Sequence, residues 1–202
     1  MSLRQGAYLP HWSLASGGIY AVTYRLADSL PRETVEWLTR ERNALAIERF
    51  RGQEGLDPDG QYAERIEDAL SVGTGTCWLR DPAVAACVAD NLRHFAGERY
   101  RLHAWCVMPN HVHVLVEPLD GRQLRELVHS WKSYTAKAAN RLLERTGEFW
   151  QAEYYDHLIR DVADYQHAVR YIEQNPVKAG LRDWPWVSRR VTYDLRPSEP
   201  DR

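Results

Sequence analysis

The stretch 105–116, which reads WCVMPNHVHVLV, constrains the fold of this chain more than any other. Two runs typical of β-strands, about 100–108 and 111–117, are separated only by Pro109-Asn110. A connection this short can join antiparallel neighbours, whereas parallel strands need a long crossover. We therefore predict a β-hairpin here, within a sheet of antiparallel strands.

The second strand of this hairpin has two chemically different faces. Alternation along a strand sends His111 and His113 to one side, and Val112, Val114 and Val116 to the other. Two imidazoles two residues apart on a stiff strand can bind one divalent metal ion from the same side. A bare His-x-His pattern fits a pair of surface histidines on an edge strand equally well. The metal-site hypothesis therefore needs support from elsewhere in the chain.

Strand and helix patterns alternate along the rest of the chain. The stretch 18–27 is β-branched and aromatic, which is typical of a strand, and Asp81-Pro82 has the pattern of a helix start. The predicted elements are a strand at 18–27, helices at 31–50, 61–71 and 81–95, the hairpin, a long amphipathic helix at 121–145, an extended segment at 149–159, and a helix from 162 to about 175 that ends at Pro176.

Without residues 31–80 the order of elements is β-α-β-β-α-β-α. This order suits an α+β fold, a ferredoxin-like antiparallel sheet with helices packed on one face. We expect one domain formed by 1–30 and 81–187, a helical insertion after the first strand at 31–80, and an irregular C-terminal tail at 188–202.

Composition narrows the class of protein. The 202 residues contain no long apolar run and no charged-then-apolar leader, so we expect a soluble, cytoplasmic protein with no membrane contact. Its three cysteines form no C-x-x-C pair, which argues against disulfides or a cysteine zinc site. A net charge of −2 counts against non-specific coating of nucleic acid, although it allows a local basic groove.

Two tyrosines lie on helices that follow the histidine pair. Tyr134 falls at the edge of the apolar stripe of its helix, and its i+4 neighbour Ala138 offers nothing to a metal, so we interpret it as a core or boundary aromatic. Tyr171 lies well away from the apolar face of the last helix and shares one side of it with Asn175, four residues on.

A phenol and a carboxamide projecting together could face the histidine pair. Two imidazoles and a carboxamide oxygen suit Mg²⁺ or Mn²⁺ and leave positions open for phosphate oxygens and water. Taken alone, Tyr171 and Asn175 fit better a partly exposed tyrosine and an asparagine that ends the helix before a proline.

Three motifs in this order resemble a known family. They are Met108-Pro109-Asn110-His111-Val112-His113, then Phe149-Trp150-Gln151, then the run 171–180, YIEQNPVKAG. Together they resemble the REP-associated tyrosine transposases, single-tyrosine HUH nucleases related to the transposases of small bacterial insertion sequences. The resemblance covers about 81–187 well and 17–27 loosely, and it includes neither 31–80 nor the tail.

The resemblance implies a metal-dependent endonuclease and strand transferase that acts on single-stranded DNA hairpins of palindromic repeats. It implies His111, His113 and Asn175 as metal ligands and Tyr171 as the nucleophile that forms a 5′-phosphotyrosine. The predicted cofactor is Mg²⁺ or Mn²⁺, and the predicted state is a monomer or homodimer.

Contacts to DNA are expected from cations and aromatic rings, through phosphates and unpaired bases. The candidates on the long helix fit a solvated surface equally well, and most tryptophans are core residues. The candidates are Arg122, Arg125, Lys132, Lys137, Arg141, Trp150 and Lys178, with Trp184 and Trp186 as further stacking platforms.

Two alternatives remain open at the level of sequence. One is a catalytically inactive DNA-hairpin-binding or regulatory protein of the same fold. The other is a metal-dependent hydrolase of a small molecule, which would need a closed apolar pocket and more carboxylate ligands than the neighbourhood of the histidine pair supplies.

Overall fold

The computed structural model describes residues 2–5, 10–13, 18–52 and 58–188. The tail predicted at 188–202 lies outside the described residues except for Ser188. The elements are β1 (Ser2–Gln5), β2 (Pro10–Ser13), β3 (Tyr20–Arg25), α1 (Arg32–Phe50), α2 (Pro58–Ser71), a 3₁₀ turn (Trp78–Arg80), α3 (Pro82–His94), β4 (Tyr100–Val107), β5 (His111–Pro118), α4 (Leu124–Leu142), β6 (Tyr155–Leu158) and α5 (Val162–Lys178).

Four strands form an antiparallel sheet in the order β4-β5-β3-β6. β4 and β5 make the hairpin that the sequence predicts, with Val107 opposite Val112. β3 pairs with β5 on its other side, so that Thr23 lies opposite His113 and Arg25 opposite His111. β5 is therefore an internal strand, and the histidine pair does not lie on an edge.

One face of the sheet carries the main core. Val112, Val114 and Val116 of β5 pack there with apolar residues of α3 and α4. Asp81 begins α3 as predicted, because its carboxylate accepts hydrogen bonds from the backbone N–H groups of Ala83 and Val84. The α+β class and the antiparallel sheet with helices packed on it are thus confirmed.

The opposite face of the sheet is covered as well. Ile172 and Ala168 of α5 pack against Cys106 of β4 and Leu115 of β5 in a second cluster. The expectation of helices on one face only therefore needs a correction, since α5 lies on the other side from α3 and α4. The physical reason is the alternation in β4 and β5, which places a second set of apolar side chains, including Cys106 and Leu115, on the face opposite the valines of β5.

α1 and α2 lie on this second face too, over β3 and β6. Leu38 of α1 and Tyr62 of α2 form a small cluster with Tyr155 of β6, whose register partner is Thr23. The turn after α2 is held against the sheet where the backbone of Gly75 adopts φ +85°. A Cβ at Gly75 would lie 2.5 Å from the backbone oxygen of Asp28, so only glycine allows this approach.

The last helix does not end at Asn175 as predicted but continues through Pro176 to Lys178. A proline removes one backbone donor, and the following turn retains hydrogen bonds from Ala179 N to Asn175 O and from Leu181 N to Pro176 O. Asn175 therefore lies inside the helix with a fixed side-chain direction. Among the described helices, none is long and apolar enough to cross a membrane.

Candidate metal centre and nucleophile

His111 and His113 face each other on β5 beneath the helices of the second face. Their side chains are almost fully buried, at 1% and 2% exposure. The two Nε2 atoms lie 3.0 Å apart. The alternation predicted from the sequence thus directs both imidazoles to one side of the sheet.

The outer nitrogen of each imidazole has a fixed partner. His111 Nδ1 lies 2.7 Å from Asn110 Oδ1, and His113 Nδ1 lies 2.8 Å from Thr23 Oγ1. Asn110 in turn donates to the backbone oxygens of Leu70, at 3.2 Å, and Thr74. A carboxamide oxygen can only accept, so His111 Nδ1 carries the proton and its Nε2 lone pair points into the site.

Glu67 of α2 supplies a third donor atom that the sequence did not reveal. Its Oε1 lies 3.0 Å from His113 Nε2 and 3.3 Å from His111 Nε2. The carboxylate belongs to the segment predicted as an insertion, 44 positions before His111 in sequence numbering. Its one local signal is the position beside Ile66 and Leu70, at the edge of the apolar stripe of α2.

α5 brings Asn175 and Tyr171 to the same place. Asn175 Nδ2 lies 3.2 Å from His113 Nε2 and 3.3 Å from Glu67 Oε1. Glu67 and Asn175 lie close enough to the Tyr171 phenol to affect its pKa, and the Tyr171 ring is 5.5 Å from that of His113, centroid to centroid. The structure therefore brings together all four residues that the sequence singled out for the site.

Burial and the short distances between the side chains of the site determine the protonation states of Glu67, His111 and Tyr171. Burial lowers the pKa of His111, against the opposing effect of Glu67. Burial acts to raise the pKa of Glu67, but the imidazoles of His113 and His111 outweigh it and hold that pKa well below its usual value. Burial, and then the Glu67 carboxylate, raises the pKa of Tyr171 above its ordinary value. The site therefore combines a carboxylate, a neutral His111 and a protonated phenol at neutral pH.

The donor set fits a small divalent cation. Ligand atoms on adjacent corners of an octahedron lie about 3.0 Å apart when each is about 2.1 Å from the ion. The three distances among Glu67 Oε1, His111 Nε2 and His113 Nε2 are 3.0, 3.0 and 3.3 Å. These three residues form the metal-capable cluster among the described side chains. Rotation of the Asn175 carboxamide by 180° would add an oxygen, since its two ends have the same shape.

The basic residues of α4 lie in a different layer. Because α4 packs on the first face of the sheet, its outward side is separated from the histidine pair by the sheet itself. The cations there are solvent-exposed, and their role in DNA binding stays a prediction. These are Arg125, Lys137 and Arg141 of α4, together with Arg122, which lies just before the helix and not on it as the sequence predicted.

The side chains of Lys132 and Trp150 are bonded to other parts of the protein and do not lie free on its surface. Lys132 Nζ donates to the backbone oxygens of Gln151 and Ala152, both at 2.6 Å, and burial lowers the pKa of Lys132 to about 8. Trp150 is 6% exposed, and its Nε1 donates to Thr135 Oγ1 at 2.9 Å. These contacts give both residues a structural role within the protein.

The three other candidates for DNA contacts, Lys178, Trp184 and Trp186, lie in three different surroundings. Trp184 is partly buried against the second cluster and donates from Nε1 to Val107 O at 2.7 Å, while Trp186 packs against the main core. Lys178 Nζ lies 5.1 Å from the centre of the Tyr171 ring, over its face.

The expectation that Tyr134 is a core or boundary residue is wrong, because its side chain is 60% exposed.

Comparisons with known proteins point to one family of transposases. Residues 88–175 match the family described as "Transposase IS200 like". The chain is 30% identical over 104 residues to the REP-associated tyrosine transposase of Escherichia coli, a match that covers 48% of this chain and 61% of that protein. It is also 30% identical over 112 residues to a Haemophilus influenzae protein that carries the same name provisionally, covering 48% of this chain and 64% of that protein.

Among solved structures, a REP-associated tyrosine transposase bound to a REP hairpin matches 93% of this chain and 82% of that chain, at 21% identity and a TM-score of 0.49.

The segment 88–175, somewhat less than half of the chain, is thus similar to the IS200-like transposases. The resemblance to REP-associated tyrosine transposases inferred from the motifs is confirmed. The chain spans somewhat less than two thirds of the length of the curated relatives it matches. The matched segment includes His111, His113, Tyr171 and Asn175, whereas Glu67 lies outside it.

Proposed function

We propose that this protein cuts and rejoins single-stranded DNA beside hairpins of palindromic repeats, with Tyr171 as nucleophile and a divalent metal ion as cofactor. The observation that carries the proposal is the convergence of Tyr171 with His111, His113 and Glu67 on one face of the sheet. A phenol placed beside a metal-capable cluster suits attack on a phosphate that the same cluster holds.

His111, His113 and Glu67 would hold the ion, with Asn175 as a further ligand through its amide oxygen. A divalent ion bound there supplies Lewis-acid polarisation of the scissile phosphate, and Mg²⁺ or Mn²⁺ suits the oxygen and imidazole donors. Asn110 and Thr23 would orient the two imidazoles through their Nδ1 atoms.

Tyr171 would act as follows. Its Oη bonds to phosphorus while the bond from phosphorus to the 3′ oxygen breaks, giving a 5′-phosphotyrosine. The phenolic proton leaves Tyr171, and the departing 3′ oxygen takes up one proton to become a hydroxyl. Attack of a 3′-hydroxyl on the phosphotyrosine reverses the step and rejoins the strands, so that no energy-rich cofactor is needed.

A catalytically inactive hairpin-binding protein would have no use for a metal-capable cluster next to a tyrosine. Burying a carboxylate beside two imidazoles has a cost that a purely structural site does not recover, since apolar residues would pack there equally well. The small-molecule hydrolase is disfavoured by the placement of Tyr171 among the metal-capable residues.

The test is formation of a covalent adduct. Hairpin DNA copied from palindromic repeats near the gene, labelled on the strand 3′ of the cut, is incubated with the protein and Mn²⁺ and run on a denaturing gel. We expect label at protein mass, and its loss when a chelator replaces the metal. Label that never migrates with the protein, across hairpins from all neighbouring repeats, would contradict the proposal.

A second prediction concerns Glu67 as a ligand. Glu67→Gln should weaken Mn²⁺ binding at least about tenfold, because the charged oxygen nearest both imidazoles is replaced by a neutral amide. Binding is measured on the DNA-free protein by calorimetry or by the electron paramagnetic resonance signal of free Mn²⁺. The matched control is Asp68→Asn, the same change at the next, exposed position of α2. Equal Mn²⁺ affinity of Glu67→Gln and wild type would remove Glu67 from the ligand set.

A further inference from the structure

Side-chain contacts join α1 and α2 to each other, so that the two helices form one unit. Leu38 of α1 and Tyr62 of α2 belong to the same small cluster. Arg65 of α2 forms an ion pair with Glu41 of α1, and its guanidinium lies 5.7 Å from the centre of the Trp37 ring. We refer to the two helices as the α1–α2 pair. A displacement of α2 from the sheet would carry α1 with it.

The α1–α2 pair lies over the sheet without filling the space beneath it. A groove of about 780 Å³ is lined by Thr23 and Arg25 of β3 and by Val35 and Ile66 of the pair. An interface that contains such a groove gains less from packing than a close-packed core. Segments with few buried apolar contacts also open at a lower free energy than the core. The attachment of the pair therefore depends on a small number of contacts at the margins of the groove.

One of these contacts fixes the C-terminal end of α2. Asn110 Nδ2 donates to the backbone oxygens of Leu70, at 3.2 Å, and Thr74, at 3.3 Å. These two bonds determine which end of the carboxamide faces His111, so that Asn110 Oδ1 accepts from His111 Nδ1. His111 Nε2 therefore presents its lone pair to Glu67.

A second contact joins the middle of α2 to β5 through Glu67. Its Oε1 lies 3.0 Å from His113 Nε2 and 3.3 Å from His111 Nε2. Glu67 Oε1 and His111 Nε2 are both acceptors, so no hydrogen bond joins them. Two facing lone pairs repel each other, whereas both can bind one divalent ion. The contact between α2 and β5 is therefore fully favourable only with an ion bound.

We propose that docking of the α1–α2 pair on the sheet depends on the divalent ion, with Glu67 as the link. Glu67 belongs to α2, whereas His111 and His113 belong to β5, so the complete donor set exists only while the pair is docked. A ligand that binds only the docked form lowers the population of the opened form. The cluster thus couples occupancy by the ion to the position of two helices. This inference rests on the proposed function, because it uses the same metal centre.

The size of this coupling follows from mass action. At a free ion concentration about 100 times the dissociation constant, the opened population falls about a hundredfold. Backbone amides of α2 that exchange with solvent only when the pair opens should slow by a similar factor. Amides of α3 supply the reference for global unfolding, because Val84, Val88 and Leu92 place that helix in the main core, with no exposed surface on these side chains.

Hydrogen exchange followed by mass spectrometry tests the proposal on the full chain without DNA. Wild type is compared in chelator and in Mn²⁺ at about 100 times the dissociation constant, which is measured from the electron paramagnetic resonance signal of free Mn²⁺. In chelator, we expect peptides from 58–71 to exchange at least about tenfold faster than the slowest peptides from 82–94, because the pair opens without global unfolding. In Mn²⁺, exchange within 58–71 should slow at least about tenfold.

Glu67→Ala separates ion binding from the link between the elements. At a Mn²⁺ concentration about 100 times the variant's own dissociation constant, the histidines hold the ion without a donor from α2, so exchange within 58–71 should slow less than about threefold. The matched control is Asp68→Ala, the same truncation at the next, exposed position of α2, which should slow as much as wild type. Circular dichroism verifies that each variant is folded. If Glu67→Ala is unfolded, the wild-type comparison still decides the outcome.

Three results would overturn the inference. They are Mn²⁺ binding by wild type without slower exchange in 58–71, exchange of 58–71 in chelator that is as slow as that of the slowest peptides from 82–94, and undiminished slowing in folded Glu67→Ala at equal saturation. Absence of Mn²⁺ binding by wild type would overturn the metal centre of the proposed function and this inference with it. Binding without protection overturns the inference alone, so the two failures are distinguishable.

Discussion

Tyr171→Phe should eliminate strand cleavage and the covalent adduct, a loss of at least about 10⁴-fold, because no oxygen remains to bond to phosphorus. The ring packs as before beside His113. Removal of one hydroxyl near Glu67 and Asn175 should change the free energy of unfolding by no more than about 1.5 kcal/mol. The measurement is a denaturing gel of labelled hairpin DNA incubated with each protein, together with a binding titration in which the variant should match wild type.

Tyr134→Phe is the matched control for this prediction. Tyr134 also lies on a helix after the histidine pair, but its side chain is 60% exposed and belongs to α4, on the other face of the sheet. The control should retain the adduct at the level of wild type. An adduct that persists in Tyr171→Phe and disappears in Tyr134→Phe would move the nucleophile to α4.

Much of the sheet could be predicted because its determinants are local. The alternation at 111–116 and the two-residue connection before it fix a hairpin and assign a face to each side chain. The same alternation places His111 and His113 together. Tyr171 and Asn175 could be paired for a similar reason, since four residues make one helical turn.

Contacts between distant segments could not be predicted in the same way. Glu67 reaches the histidines because α2 lies over β3 and is held there by Asn110 and the turn at Gly75. α2 also carries other acidic side chains, such as Glu64 and Asp68, and a position at the edge of the apolar stripe does not by itself identify Glu67 as a metal ligand. The sequence therefore indicated two imidazoles, an amide and a phenol, and missed the charged donor.

The errors on individual side chains have a similar origin. Lys132 and Tyr134 are two positions apart on an amphipathic helix, where periodicity alone assigns the lysine to solvent and the tyrosine to the boundary. In the structure Lys132 is partly buried, because the backbone oxygens of Gln151 and Ala152 accept hydrogen bonds from it. Tyr134 is instead 60% exposed. A carbonyl contributed by a distant loop leaves no signature in the periodicity of the helix.

The second large effect is expected from the histidine pair. His111→Ala and His113→Ala should each reduce cleavage at least about a thousandfold, because each removes a donor atom from the cluster that would hold the ion. Hairpin binding should remain within about tenfold, since the ion acts mainly on the reacting phosphate and not on the hairpin. Cleavage is followed with Mg²⁺ and with Mn²⁺ at several concentrations, and binding by titration with labelled hairpin.

Both histidines are almost fully buried, so a general loss of stability has to be separated from loss of the metal site. His103→Ala is the matched control, because His103 is a buried histidine of β4 that contacts Tyr165 and Glu117, away from the site. It should lower the melting temperature about as much as the other two changes and still cleave. If all three variants lose cleavage in proportion to their loss of stability, the effect is on folding. If His111→Ala and His113→Ala both still cleave with either metal, the histidine pair does not hold the catalytic ion.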